Sequence, residues 1–136
     1  MASILIVDDS RTSRKILRGI LEEAGHEIIG EASNGEQGIK LYQELKPDIV
    51  TLDITMPVMD GISALIKIKD YDDSANVVMV SAAGQKSKMV EAVKYGASEF
   101  IAKPFDEDLL LSVIDKVLGL LISGYYIFKV YKVPDI

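Results

Sequence analysis

The sequence predicts an α/β fold: a parallel five-stranded sheet with helices on both faces. Two observations lead there. Five short apolar runs alternate with segments whose apolar residues recur at helical spacing. The runs are also near-continuously apolar, as suits strands buried on both faces. Strands and helices that alternate along one chain pair in parallel through right-handed crossovers.

The first run, Ser3 to Val7, ends in Asp8-Asp9, and Ile16, Leu17, Ile20, Leu21 and Ala24 then follow at helical spacing up to Gly25. A second, shorter strand is expected over Glu27 to Glu31. A second helix is expected over Gly35 to Leu45, stopped at Lys46-Pro47 because proline disfavours helical geometry in the residue before it. Ile49 to Leu52, apolar and partly β-branched, forms a third strand delivering Asp53. A loop containing Pro57 and Gly61 leads to a helix carrying Ile62, Leu65, Ile66 and Ile68. The order then continues with a strand over Val77 to Val80, a helix over about Lys86 to Tyr95, a strand over Glu99 to Ala102 and a last helix from about Asp106.

A chain of 136 residues is enough for one ordinary domain with a real core. Its composition, 26% charged and 49% hydrophobic, is that of a soluble globular protein, and no apolar run is long enough to cross a bilayer. Cysteine is absent, which removes disulfides, thiolate metal sites and cysteine nucleophiles. The N-terminus lacks a signal-peptide pattern, so the expected location is cytoplasmic. The net charge of −6 argues against direct binding to nucleic acid, whose phosphates are held chiefly by clustered Lys and Arg.

In open parallel sheets ligands bind beyond the carboxyl ends of the strands, so those ends are the place to look for chemistry. Strand one ends in Asp8-Asp9, strand three in Asp53 and strand four in Ser81, while strand five leads to Lys103-Pro104-Phe105. Three converging carboxylates repel one another, and a divalent cation relieves that repulsion. Mg²⁺ suits the set, being held by one or two carboxylates plus phosphate oxygens. Asp53 is then the nucleophile of a phosphoryl transfer, Asp8 and Asp9 hold the metal, Lys103 places a charge on one phosphoryl oxygen and Ser81 donates a hydroxyl to another. Taken singly, each residue has an ordinary role as a helix cap, a loop residue or a solvated strand end. The combination carries the inference.

The stretches Ile4-Leu5-Ile6-Val7-Asp8-Asp9, Asp53-Ile54-Thr55-Met56-Pro57-Val58-Met59-Asp60-Gly61, Ser81-Ala82 and Lys103-Pro104-Phe105 resemble the response-regulator receiver family over about residues 3–119. The resemblance implies the strand order 2-1-3-4-5 of flavodoxin-like and CheY-like sheets. It further implies that a histidine kinase or a small acyl phosphate phosphorylates Asp53. The Mg²⁺ would be arranged by Asp8, Asp9, Asp53 and the main-chain carbonyl of Thr55, with Ser81 and Lys103 on the phosphoryl group. Ser81 and an aromatic, here Phe100, act as switch residues in that family, and the readout face is helix four, strand five and helix five. Phe100 carries no ring hydroxyl, so a switch contact using that group is absent.

Asp53 to Leu65, Ser81-Ala82-Ala83-Gly84-Gln85 and Gly96 to Phe105 are most similar to response regulators of the CheY chemotaxis type. The expected partners are thus a histidine kinase and a flagellar switch protein or phosphatase, with no direct nucleic acid and no membrane. The protein is expected to be a phospho-accepting signalling protein and not an enzyme; the alternatives are a phosphorelay intermediate or an unphosphorylated interaction scaffold. A hydrolase with an acyl-phosphate intermediate would want an acid two residues past Asp53, where Thr55 stands. Ala83, two past Ser81, offers no side chain to orient a water, which implies modest self-hydrolysis. His26 is expected to be a solvated histidine in the turn before strand two.

The receiver domain is expected over residues 1–119, followed by an extension over 120–136. Leu120 to Ile122 reads as one more turn of the last helix, up to Gly124, and Tyr125 to Val133 reads as a strand. That strand could pack back on the domain, stay disordered or pair with a second copy, giving a monomer or a tail-mediated dimer.

Overall fold

A computed structural model describes residues 1–119. The expectations for residues 120–136 lie outside the described residues. The elements are β1 (Ser3–Val7), α1 (Arg11–Glu23), β2 (Glu27–Ala32), α2 (Gly35–Leu45), β3 (Ile49–Asp53), α3 (Gly61–Tyr71), β4 (Val77–Ser81), α4 (Lys86–Lys94), β5 (Glu99–Ala102) and α5 (Glu107–Val117). The strands form one parallel sheet in the order β2-β1-β3-β4-β5. Architecture and order agree with the expected fold.

A few boundaries move. β2 runs on to Ala32, which pairs with Val7, and β4 takes in Ser81, which pairs with Ala102. Gly61, expected in the loop, is the first residue of α3, because Asp60 caps the helix by accepting a bond from the Ser63 amide. α2 stops as expected before proline, with Lys46 left-handed at φ 48° and its N–H bonded to the Tyr42 carbonyl.

Alternation along each strand divides the core between the two faces of the sheet. Leu5, Val7, Val50, Leu52, Val77 and Met79 face a cluster with Tyr42 of α2, Ile62, Leu65 and Ile68 of α3, and Ala92 of α4. Ile4, Ile6, Ile49, Val78 and Ile101 face Leu17 and Leu21 of α1 and Leu110, Val113 and Ile114 of α5. β3 and β4 are buried along their whole length, so a polar residue at either C-terminal end starts from a water-poor position.

His26 departs from expectation. It is half-buried, and its Nδ1 accepts the Ala2 amide at 3.1 Å. The pairing of β1 with β2 brings the turn before β2 against the start of the chain, where the Glu27 amide also donates to the Ala2 carbonyl.

Two core positions lead to tests. Thr51, in the middle of β3, is fully buried and its Oγ1 has no hydrogen-bond partner, so its desolvation goes uncompensated. Thr51→Val is expected to raise the unfolding free energy by about 1 kcal/mol in a denaturant titration. At Gly61 a Cβ would overlap the carbonyl oxygen of Asp53 and crowd Ile54, both main-chain atoms that cannot swing aside. Gly61→Ala is expected to cost about 3 kcal/mol in the same measurement.

Candidate functional site

The first loop explains why Asp8 and Asp9 are not mere caps. The N-cap of α1 is Ser10, whose hydroxyl accepts the Ser13 amide at 3.1 Å. The Ser10 amide in turn donates to Asp8 Oδ1 at 2.8 Å, and Arg14 Nη1 donates to the Asp8 carbonyl at 2.6 Å. One oxygen of Asp8 is thereby fixed and the other, Oδ2, is directed inward. Asp8 is buried while its neighbour Asp9 is exposed.

β3, β4 and β5 deliver the remaining groups. Asp53 closes β3 at 6% exposure. Ser81 closes β4, also buried, and its carbonyl accepts the Lys103 amide at 2.8 Å, which holds the base of the lysine beside it. The Lys103-Pro104 peptide is cis. Lys103 Nζ lies 3.0 Å from Asp8 Oδ2 and 3.5 Å from Asp53 Oδ2. Oxygens of Asp8, Asp9 and Asp53 lie within 4.8 Å of one another.

The expected residues thus divide into three groups. The structure gathers Asp8, Asp9, Asp53 and Lys103, and it places Ser81 one position beyond Asp53 in the β3-β4 register. Thr55 is exposed in the loop after β3, where its Oγ1 accepts a bond from Gln85 Nε2 at 2.5 Å. Phe100 lies earlier on β5, opposite Met79, half-buried against the core on the α2, α3 and α4 side. Ser10, Arg14 and Gln85 were not singled out as site residues. Ser10 had a readable signal, a serine immediately before a helical pattern. Gln85 reaches a residue 30 positions away, for which the sequence carries no local signal.

Burial pushes the Asp53 carboxyl up to about 6, with the Asp8 charge adding to the rise, the Lys103 ammonium opposing it and Asp9 contributing further. Burial alone would depress Lys103, but the carboxylates of Asp8 and Asp53 outweigh it and raise its pKa. At neutral pH the lysine is therefore charged and Asp53 mostly ionised.

Asp8 Oδ2 is buried, and the partner it meets is the Lys103 ammonium at 3.0 Å. Three carboxylates whose oxygens lie this close together, against one ammonium, suit a hard divalent cation.

The model of the response regulator receiver domain family matches residues 4–115. This chain is a receiver domain of that family. The Bacillus subtilis chemotaxis protein CheY is 49% identical to the receiver over 116 residues, 85% of this chain and 97% of that protein. Protein PilH of Pseudomonas aeruginosa is 41% identical over 121 residues, 88% of this chain and 99% of that protein. Among solved structures, the CheX-CheY-BeF3-Mg complex from Borrelia burgdorferi matches with a TM-score of 0.82 at 41% identity, over 85% of this chain and 88% of that one. The receiver therefore belongs with CheY-type response regulators. No helix among its described residues is long and apolar enough to cross a membrane.

The raised Asp53 pKa makes the metal-free receiver pH-sensitive. The folded state holds a proton on Asp53 up to about 6 where the unfolded chain releases it near 3.8. The associated stability is complete below the lower value and is lost as pH rises through the upper one. In chelator, Asp53→Asn is expected to be more stable than wild type at neutral pH by on the order of 2 kcal/mol, with the two converging near pH 4, as read by denaturant unfolding at each pH.

Proposed function

We propose that this receiver accepts a phosphoryl group on Asp53 from a histidine kinase and signals, in chemotaxis, through the face formed by α4, β5 and α5. The observation that carries this reading is a buried, ionisable carboxylate ending β3, with two further aspartates around it and one lysine 3.5 Å away. A carboxylate held there has little solvent to displace before it attacks.

In the transfer, the Asp53 carboxylate attacks phosphorus in line. An O–P bond forms as the P–N bond of a phosphohistidine, or the P–O bond of a small acyl phosphate, breaks and its electrons leave with the departing group. Lys103, already between Asp8 and Asp53, neutralises charge spreading onto the phosphoryl oxygens, and the Ser81 hydroxyl donates to one of them. Mg²⁺, held by Asp8, Asp9, Asp53 and the main-chain carbonyl of Thr55, would supply further neutralisation when bound. Movement of Ser81 and reorientation of Phe100 then pass the change to α4, β5 and α5. Ala83 is exposed and has no polar side-chain atom to orient an attacking water, which supports slow loss of the phosphoryl group.

The chemotaxis assignment draws support from the CheY relatives and from the readout face itself. Val90 and Val93 on α4 are 65% and 59% exposed and Leu109 on α5 is 56% exposed, apolar side chains on two elements of that face which suit a protein partner such as a flagellar switch component. The Borrelia burgdorferi CheY assembled with CheX supports a protein partner, such as a phosphatase, for this receiver too.

Incubation with Mg²⁺ and a labelled acyl phosphate tests the reading. Stoichiometric labelling is expected, abolished in Asp53→Asn and slowed by roughly 100-fold in Lys103→Ala. No label on the wild-type protein would point to an interaction scaffold, and continuous turnover to a hydrolase.

A further inference from the structure

Among the described residues five helices follow the strands, and four begin with a side chain that caps its own first turn: Ser10, Asn34, Asp60 and Asp106. The fifth, α4, begins at Gln85 with no side-chain cap bond. Its amide is used elsewhere. Gln85 Oε1 accepts the Ala82 amide at 2.6 Å, and Gln85 Nε2 donates to Thr55 Oγ1 at 2.5 Å. Gly84, at φ +84°, supplies the left-handed turn that bends the chain back on itself here, a conformation other residues adopt only with strain.

One side chain therefore joins the loop that follows the phospho-acceptor strand, β3, to the loop that follows its neighbour β4. Ala82 is the residue after Ser81, so a displacement of the Ser81 main chain must carry the Ala82 amide with it. That amide is anchored through Gln85 to the loop holding Thr55, two residues past Asp53. Gln85 is also the first residue of α4's boundary, so whatever frees its side chain acts directly on the helix that forms the proposed readout face.

Resting on the phospho-acceptor reading, we propose that Gln85 is a positioning residue: a latch that holds the loop after β4 in its resting place, slows phosphoryl transfer to Asp53 and ties the state of that loop to α4. Breaking the latch loses two hydrogen bonds, and without it the loop reaches the phosphoryl-binding arrangement more readily.

The test combines amide hydrogen exchange at Ala82, resolved by NMR on the unphosphorylated full chain, with the rate of labelling by an acyl phosphate in saturating Mg²⁺. In Gln85→Leu, exchange at Ala82 is expected to rise and labelling to accelerate by about fivefold for each hydrogen bond lost. Gln85→Glu keeps an acceptor for both the Ala82 N–H and the Thr55 hydroxyl, and is expected to return both readouts towards wild type. Gln85→Ala serves if the leucine variant does not fold. Unchanged exchange at Ala82 overturns the latch, as does faster exchange with unchanged or slower labelling. Those outcomes leave the phospho-acceptor reading intact, whereas a wild-type protein that takes no label overturns that reading and the latch with it.

Discussion

Asp53 ends a strand that is buried along its whole length, and a carboxylate there has lost most of its water. Desolvation and the nearby charge of Asp8 both favour its neutral form, and the Lys103 ammonium at 3.5 Å opposes them. Much of the local architecture fixes this balance. The Lys103 main chain is tied to Ser81, Asp8 is held by Ser10 and Arg14, and the absence of a side chain at Gly61 lets α3 begin directly against the Asp53 carbonyl. The site is thus built by main-chain and capping contacts one step removed from the charges themselves.

Its position also follows from how the sheet is covered. α1 and α5 pack on one face, and α2, α3 and α4 on the other. Beyond the carboxyl ends of the central strands, the aspartates that end or follow β1 and β3 meet the lysine that follows β5. α4 is the least buried of the helices around it, with Ala92 as its buried residue and two valines largely in water. A helix with so little buried surface needs little free energy to shift.

Much of this was legible in the sequence because it rests on short-range rules. Apolar runs ending in Asp8, Asp53 and Ser81 identify strand ends, and a parallel sheet places those ends side by side. The misses have physical causes of another kind. His26 was expected in solvent but is half-buried, because its environment is set by the pairing of β2 with β1 and not by its neighbours in sequence. Gln85 gave no local signal of its role, since its bond to Thr55 depends on two loops meeting in space. The buried hydroxyl of Thr51 was hidden for the opposite reason, since threonine fits a strand by propensity whether or not its oxygen finds a partner.

The pairing of Lys103 with Asp8 and Asp53 has a consequence in whole charges. Three carboxylates and one ammonium leave the resting crevice with two negative charges, which one divalent cation would cancel. Turning the Asp53 carboxylate into an acyl phosphate would replace one negative charge by about two. The signalling event would then be the arrival of a single uncompensated negative charge in a neutral pocket, visible as a more acidic band on a native isoelectric gel. A charge of that size draws nearby N–H and O–H donors toward it, and in this molecule those donors lie on loops that lead into helices.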